Sequence, residues 1–384
     1  MQDSGRISSV QLLMLLFMME ASTGVIYLPA KMAETAGPDA WFAISSFTLF
    51  YGLIISGVAL SLAGRFPSQT ITEYLPEVVG WVPGKLLTTI YAAVFINFIF
   101  GTLNEGSSFI HTAFLSQTPM MVLDVMNATV ALYGAYLGIE VIARQNQLTW
   151  LLFIVSFVGV LSLAAKDINF SNLRPVFENG FLPILKGGYV DSPWTGQVAM
   201  LLMFFPYLNQ KQEAFKAVFW ALGLLAIAAG VTMLVTIGIF GSQVTAHLAF
   251  PYNSLARYID VGNFIERMNI LVVVVWISGV VVKLAILYHS AGIAVADTLG
   301  LKSYRITLAP IAIITVILSK VVFGGAYAKF TAFMFGIWPP YAAIVELVIP
   351  AITLLVAVIR KKEGRTAIIA GSAGAGSDRN KKVV

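Results

Sequence analysis

Long apolar stretches alternate with short polar connections along almost the whole chain. A helix needs about 20 predominantly apolar residues to cross the hydrocarbon core of a bilayer, and many stretches reach that length. The pattern predicts an all-α integral membrane protein with about ten transmembrane helices. The predicted spans cover residues 8–33, 41–63, 85–112, 120–139, 147–165, 194–209, 215–241, 265–290, 305–323 and 333–360.

The predicted spans form one transmembrane domain, residues 1–362, followed by a polar tail, residues 363–384. The tail contains the run GSAGAGSDRNKK, a composition typical of flexible, disordered segments. Two longer polar connections, residues 166–193 and 242–264, are expected to form short surface helices on one side of the membrane. Because the first apolar run continues into the body of the chain, we expect no cleaved signal peptide.

Composition narrows the class of protein. The chain is 58% hydrophobic and 11% charged, which excludes an ordinary soluble domain. Its net charge of +5 comes from Lys and Arg between the apolar runs and in the tail, so we assign it to the membrane surface and not to nucleic acid. The distribution of Lys and Arg favours both termini on the cytoplasmic side. The absence of Cys excludes disulfides, thiolate metal sites and a cysteine nucleophile.

Two predicted spans contain interruptions that a simple membrane helix does not need. Small and hydroxyl residues, Ser22, Thr23 and Gly24, lie near the middle of the first span, and Pro206 lies in the sixth, followed by polar residues. These are the first members of two five-helix halves. Broken helices at corresponding positions are typical of inverted-repeat transporters, whose binding site lies near the middle of the membrane. We therefore predict a five-plus-five inverted repeat with broken first and sixth helices.

The predicted breaks suggest a binding site for a small amino acid-like ligand. Unpaired N–H groups near the first break, at the start of a helix half, would bind a carboxylate. Aromatic residues and carbonyls of the sixth span would receive the amine. The alternative is that Gly24 only allows close helix packing and that Pro29 only kinks the helix. The candidate ligand-binding residues at the two breaks are Ser22, Thr23, Gly24, Val25, Phe204, Phe205 and Tyr207.

Polar residues inside other spans are further candidates, because isolated charges are costly in a membrane. Glu20 precedes the first break, and Lys283 lies in the eighth span. Asn97, Gly101 and Glu105 follow one another at helical spacing in the third span. Functionally, Asn97 and Gly101 would line the site, while Glu20, Glu105 and Lys283 would be proton or cation sites. The alternatives are a helix–helix contact for the third-span stripe and snorkelling of Lys283 toward the membrane surface.

The remaining residue types carry weaker expectations. Tryptophans near predicted span ends suggest an interfacial belt. The histidines lie at predicted span ends or in a predicted loop, and we expect them at the membrane interface. No metal-ligand spacing, phosphate-binding loop or nucleophile elbow is found. We therefore expect no cofactor, no metal and no enzymatic activity. The tryptophans and histidines concerned are Trp41, Trp81, Trp194, Trp338, His111, His247 and His289.

Several segments resemble a known family. STGVIYLPAKMAETAG in the first span is similar to the glycine-containing break followed by a proline in the amino acid–polyamine–organocation transporters. MFFPYLNQ in the sixth span, WISGVVVKLAILYHSAG in the eighth and the ten-span length resemble more specifically the B subunit of the nutrient germinant receptors of endospore-forming bacteria. The resemblance covers about residues 5–365.

This resemblance implies a LeuT-type fold and a place in the spore's inner membrane. It also implies a nutrient ligand such as an amino acid. The protein would function together with an A subunit and a lipoprotein C subunit. In sodium-coupled members of the fold a cation lies between the first and eighth spans, and the Lys283 ammonium would replace it. Two functions stay open at this point: a sensing receptor subunit, or a proton-coupled, sodium-independent amino acid permease.

Overall fold

The computed structural model describes residues 3–259, 268–324 and 327–364, and these residues are almost entirely helical. The predicted tail, residues 363–384, lies largely outside the described residues. The helices are α1 Ser9–Ala36, α2 Ala40–Arg65, α3 Ile71–Val79, α4 Trp81–Ala113, α5 Met120–Leu137, α6 Ile139–Ala164, α7 Phe181–Thr195, α8 Leu201–Phe204, α9 Ala214–His247, α10 Pro251–Tyr258, α11 Met268–Leu299, α12 Arg305–Phe323, α13 Tyr327–Ala332, α14 Trp338–Ala343 and α15 Ile349–Ile359.

The described helices account for the ten predicted spans. Within the described ranges, 8 segments are long and apolar enough to cross a membrane. One of them, Ser9–Arg65, contains both α1 and α2 and therefore two spans. The sixth span is divided into the short helices α7 and α8, so no single helix of it reaches the required length. The protein is a multi-pass membrane protein, as the hydrophobic pattern predicts.

Helix packing reveals the inverted repeat. The first span (α1) packs against the seventh (α9), and the sixth (α7) packs against the second (α2). In the same way the fourth span (α5) packs against the eighth (α11), and the ninth (α12) against the third (α4). Both of these contacts thus have a counterpart when span n is exchanged with span n + 5. This confirms the predicted five-plus-five architecture, for which no residue identity between the halves gave support.

The first span differs in one detail from the prediction. α1 is one continuous helix from Ser9 to Ala36, with Pro29 inside it, and it does not unwind at Ser22–Gly24. The small residues serve packing instead. A Cβ on Gly279 of α11 would lie 3.2 Å from Ser22 Cβ, and a Cβ on Gly24 would lie 3.5 Å from Trp194 Cδ1. Neighbouring helices therefore approach α1 closely at this level, as small residues permit in membranes.

The sixth span is broken, as predicted, but a further break precedes the one at Pro206. A 3₁₀ turn, Gly196–Met200, separates α7 from α8, and a second one, Phe205–Tyr207, contains Pro206. The span also begins at Phe181 and not near residue 194. Its first half resembles a loop in sequence because it contains Asp191. That carboxylate is fully buried, and its Oδ2 accepts hydrogen bonds from the hydroxyls of Thr48 and Thr195 at 2.9 and 2.6 Å.

The tenth span contains irregularities that the sequence pattern does not predict. π-helical turns at Phe333–Ile337 and Ile344–Val348 alternate with α14 and α15. Pro339 and Pro350 follow these turns closely, and a proline cannot donate the backbone hydrogen bond of a regular helix. Such turns are frequent at functional sites and at positions where helices bend.

The segment before α1 closes one side of the bundle. The N–H of Ile7 donates to Tyr207 O at 2.9 Å, and Arg6 Nη1 donates to Pro206 O at 2.9 Å, at the end of the sixth span. The last described residue, Gly364, donates to Arg65 O at 2.8 Å on the same side, after the second span. The first and last described residues thus share one side, which we call the N-terminal side.

A buried pair anchors this segment. Asp3 Oδ2 accepts a hydrogen bond from Ile139 N at 2.9 Å and lies 2.9 Å from His289 Nε2. His289 is buried in α11 and faces this segment, which precedes the first span. Burial alone raises the pKa of Asp3, but the contact with His289 and the N–H groups of Ile139 and Gly5 together outweigh it. They hold the pKa well below the ordinary value of 3.8.

Replacing Asp3 by Asn should lower the melting temperature at neutral pH and have little effect in acid. Because the folded-state pKa is depressed, the carboxylate stabilises the fold above its ordinary pKa of 3.8 and loses this effect as the pH falls toward the lower folded value. Thermal unfolding of both proteins, measured from about pH 7 to about pH 3, should give curves that converge. The exposed Asp167 provides the control, as Asp167→Asn. A melting difference for Asp3→Asn that does not change with pH would contradict the prediction.

Candidate functional site

One hydroxyl group connects four spans in the middle of the bundle. Thr23 Oγ1, on the first span, accepts hydrogen bonds from Lys283 Nζ at 2.8 Å and from Trp194 Nε1 at 3.0 Å. These donors come from the eighth and sixth spans. A threonine hydroxyl has two lone pairs and one proton, so the two bonds use its acceptor capacity and leave its proton free to donate. The Glu105 carboxyl of the third span lies within hydrogen-bond reach as the acceptor.

Lys283 is fully buried, with 1% of its surface exposed. Its ammonium interacts electrostatically with Glu105, Glu20 and Glu346, in that order of strength. A snorkelling lysine would reach the membrane surface and remain hydrated there. The ammonium therefore belongs to an internal cluster of charges between the first and eighth spans. This is the position at which sodium-coupled members of the fold are expected to bind a cation.

Glu20 lies one turn before Thr23 and faces the sixth span. It interacts electrostatically with Asp191, the carboxylate that accepts the Thr195 hydroxyl hydrogen bond. Glu20 also lines a small cavity with Gly24 and Val25, between α1 and side chains of α6 and α9. Asp191 is not among the predicted site residues, because residues 166–193 were predicted as a polar connection between spans. The available signal was an acidic residue close to Ser192, Pro193 and Thr195, directly before the apolar part of the sixth span.

The polar stripe of the third span faces a second cavity. Asn97, Gly101 and Glu105 line it together with Gln197 and Trp338 of the sixth and tenth spans. Asn97 Oδ1 accepts a hydrogen bond from the Tyr341 hydroxyl. No atom lies within 4 Å of a Cβ placed on Gly101, so the helix faces open space there. The cavity of about 10 Å³ holds about one water molecule, and the site is closed in this conformation.

Several other predicted ligand-binding residues do not line these cavities. Ser22 packs against the eighth span. Gly24 lines the first cavity and also lies against Trp194. The N–H groups of the first span are used within the continuous helix α1 and do not face a ligand. The aromatic candidate Tyr207 accepts a backbone hydrogen bond from Ile7. Its ring lies against the ring of His289, and the two ring centroids are 5.9 Å apart. Phe204 and Phe205, which adjoin it, are likewise buried near the N-terminal side.

Two tryptophans that the sequence analysis assigned to the membrane interface lie inside the bundle. Trp194 is 0% exposed and Trp338 4% exposed, and their ring centroids are 4.7 Å apart in an edge-to-face arrangement. Trp81, in contrast, is 71% exposed and keeps its interfacial assignment. The signal for Trp194 was its position in the sequence WTGQ, two residues before the glycine at which the sixth span breaks.

A wide vestibule opens on the side opposite the N-terminal side. Its volume is about 610 Å³, and its lining includes Lys31, Glu34 and His247 at the ends of α1 and α9. Tyr27 also lines the vestibule, and its hydroxyl donates to the backbone oxygen of Glu105 at 2.7 Å. Phe335, in the first π-helical turn, lines it as well. Side chains of the first and tenth spans therefore separate the vestibule from the inner cavities.

Two solved transporter structures share this architecture. The chain is similar to MhsT in complex with L-phenylalanine, with a TM-score of 0.66 and 11% sequence identity over 93% of this chain and 99% of that chain. It is also similar to Mhp1, a nucleobase-cation-symport-1 family transporter, in a closed conformation with bromovinylhydantoin bound. That TM-score is 0.66, with 14% identity over 89% of this chain and 78% of the other. The class is therefore a membrane protein with the LeuT-type inverted-repeat fold.

The sequence assigns the family within this class. Residues 6–322 match the family model for spore germination proteins. Spore germination protein KB of Bacillus subtilis (strain 168) is 25% identical over 301 residues, which cover 77% of this chain and 79% of that protein. Spore germination protein B2 of the same strain is 22% identical over 363 residues, covering 94% and 97%. The chain belongs to the spore germination protein family, and the resemblance noted in its sequence is confirmed.

Proposed function

We propose that this protein is the nutrient-binding membrane subunit of a germinant receptor, with an amino acid as its ligand. The observation that carries the proposal is the Thr23 centre, where the first, third, sixth and eighth spans meet beside the cavity at the break of the sixth span. Polar groups at a helix break near the middle of a membrane bundle are suited to a small zwitterion. The L-phenylalanine bound to MhsT supports the choice of ligand class.

The proposed signal is a change of conformation. A ligand shifts a two-state bundle only by binding one state more tightly than the other. The vestibule offers the entry route, and the contacts of Arg6 and Ile7 with the sixth span are the element that such a shift would loosen. In this proposal germinant receptor A and C subunits, in the spore's inner membrane, receive the change.

A thermal-shift screen of the purified full chain tests ligand binding. We expect one or a few single amino acids to raise the melting temperature while sugars do not, because a ligand that binds only the folded state stabilises it. At a concentration 100 times the dissociation constant the gain is about 2.7 kcal/mol. If no amino acid shifts the melting temperature at millimolar concentration, the proposed ligand class is wrong.

A proton-coupled, sodium-independent amino acid permease is the second candidate. It is favoured by one observation: Glu20 and Glu105 are buried and both interact with the Lys283 ammonium, an arrangement able to exchange protons within the bundle. Uptake of labelled amino acids into proteoliposomes distinguishes the two functions. Accumulation driven by a pH gradient, without partner subunits, would favour the permease, and binding without uptake would favour the receptor.

A further inference from the structure

Glu346 of the tenth span is a buried acid with no assigned role. It lies in the π-helical turn Ile344–Val348 and is 4% exposed. Neither carboxylate oxygen has a hydrogen-bond partner among the described residues. A Cβ on Gly196 would collide with Glu346 Oε2, so the carboxylate lies directly against the backbone of the 3₁₀ turn that breaks the sixth span. The absence of a side chain at Gly196 makes this approach possible.

The carboxylate lines a cavity with other unsatisfied acceptors. Gln197 donates its amide N–H to Pro193 O at 3.2 Å, and its Oε1 has no partner in the described part of the chain. Gln197 and Phe98 line both this cavity and the neighbouring one that contains Glu105. Glu105 Oε1 is also unpartnered within the described ranges. An unpaired polar atom costs about 1–3 kcal/mol when it is buried, and more when it is charged. The two cavities therefore favour a guest that supplies several donors.

The charged groups inside the bundle also favour a guest that donates hydrogen bonds. Glu20, Glu105, Asp191 and Glu346 are buried near the middle of the bundle, and Lys283 is the cation that interacts with Glu346. That ammonium is already bonded to Thr23. Acidic groups thus outnumber basic ones around the cavities, which favours a cationic guest over an anionic one.

We propose that Glu346 and Gln197 form a subsite for the protonated amine of the ligand. An ammonium group supplies three N–H donors and a positive charge, and aromatic rings such as Phe98 and Tyr91 in the lining stabilise a cation further. The proposal rests on the proposed function and makes it narrower: the ligand is a primary amine with its nitrogen toward the tenth span. The cavity of about 20 Å³ holds one or two water molecules, so the ligand enters when the π-helical turns of that span bend.

The test compares matched ligands on the purified full chain. L-alanine, L-valine and L-phenylalanine are each paired with the 2-hydroxy acid that has the same side chain, which replaces only the amine by a hydroxyl. We expect thermal stabilisation of the wild type by at least one amino acid and none by its hydroxy acid. Glu346→Gln should weaken that binding about tenfold or more, and Glu346→Asp should weaken it less. Glu140→Gln, at a partly exposed site that pairs with Arg144, should bind as the wild type does.

Each contrary outcome has a separate meaning. Equal stabilisation by an amino acid and its hydroxy acid, or unchanged binding in Glu346→Gln, would overturn the amine subsite and leave the proposed function standing. If no amino acid stabilises the wild type, the proposed function fails and the subsite fails with it. If Glu346→Gln without ligand melts far below the wild type, the amine subsite is tested by the wild type alone. The test is then whether an amino acid stabilises it and the matching hydroxy acid does not.

Discussion

Replacing Thr23 by Val should destabilise the protein strongly and abolish ligand binding. Valine has the shape of threonine but no hydroxyl, so the Lys283 ammonium and the Trp194 N–H lose their common acceptor inside the bundle. A buried polar group without a partner costs about 1–3 kcal/mol, and a charged one costs more. We expect a loss of about 3–5 kcal/mol in the free energy of unfolding, measured by denaturation of the purified protein in detergent.

The matched control for this variant is Thr236→Val. Thr236 is equally buried, but its hydroxyl donates only to Thr232 O of the same helix, at 2.7 Å. We expect a change below about 1 kcal/mol there, because no group on another span loses its partner. Equal effects of the two substitutions would show that Thr23 is an ordinary buried threonine, and the Thr23 centre would lose its assigned role.

The spans and their number could be predicted from the sequence because membrane helices are long, apolar and locally determined. The repeat could be predicted only from span order, since corresponding residues of the halves differ. The sixth span could be predicted from its hydrophobic pattern only in part. Its first half contains Asp191, which the hydrophobic pattern places in water and which the bundle buries against Thr48 and Thr195. A side chain satisfied by distant partners cannot be distinguished from a solvated one by its own position in the sequence.

The site could also be predicted only in part. Glu20, Glu105 and Lys283 stand out because charges within spans are rare and costly, and the structure brings all three together. The predicted break at Ser22–Gly24 did not form, because small residues suit both an unwound helix and a close helix contact. One partner in the close contact is Trp194, whose Nε1 donates to Thr23 Oγ1 and which lies 171 residues after it in the chain. The unsatisfied oxygens of Glu346 likewise follow from packing against Gly196 and from no local pattern.

Replacing Lys283 by Met should be at least as damaging as the loss of Thr23, and for a different reason. The variant removes the buried ammonium that interacts with Glu105, Glu20 and Glu346, and the long apolar side chain of methionine fills much of the same space. Removing one partner of a buried ion pair costs about 3–5 kcal/mol, because the remaining charge stays uncompensated. We expect a loss of that size at neutral pH, measured by the same denaturation assay.

The double variant Lys283→Met, Glu105→Gln separates a charge effect from a packing effect. If the cost arises from uncompensated charge, removing the carboxylate that interacts most strongly with the ammonium should recover stability, and the two substitutions should be strongly non-additive. Lys31→Met, at a partly exposed pair with Glu34, should change stability by less than about 1 kcal/mol. Additive losses in the double variant would mean that Lys283 contributes by filling space, and the internal ammonium would then not substitute for a bound cation.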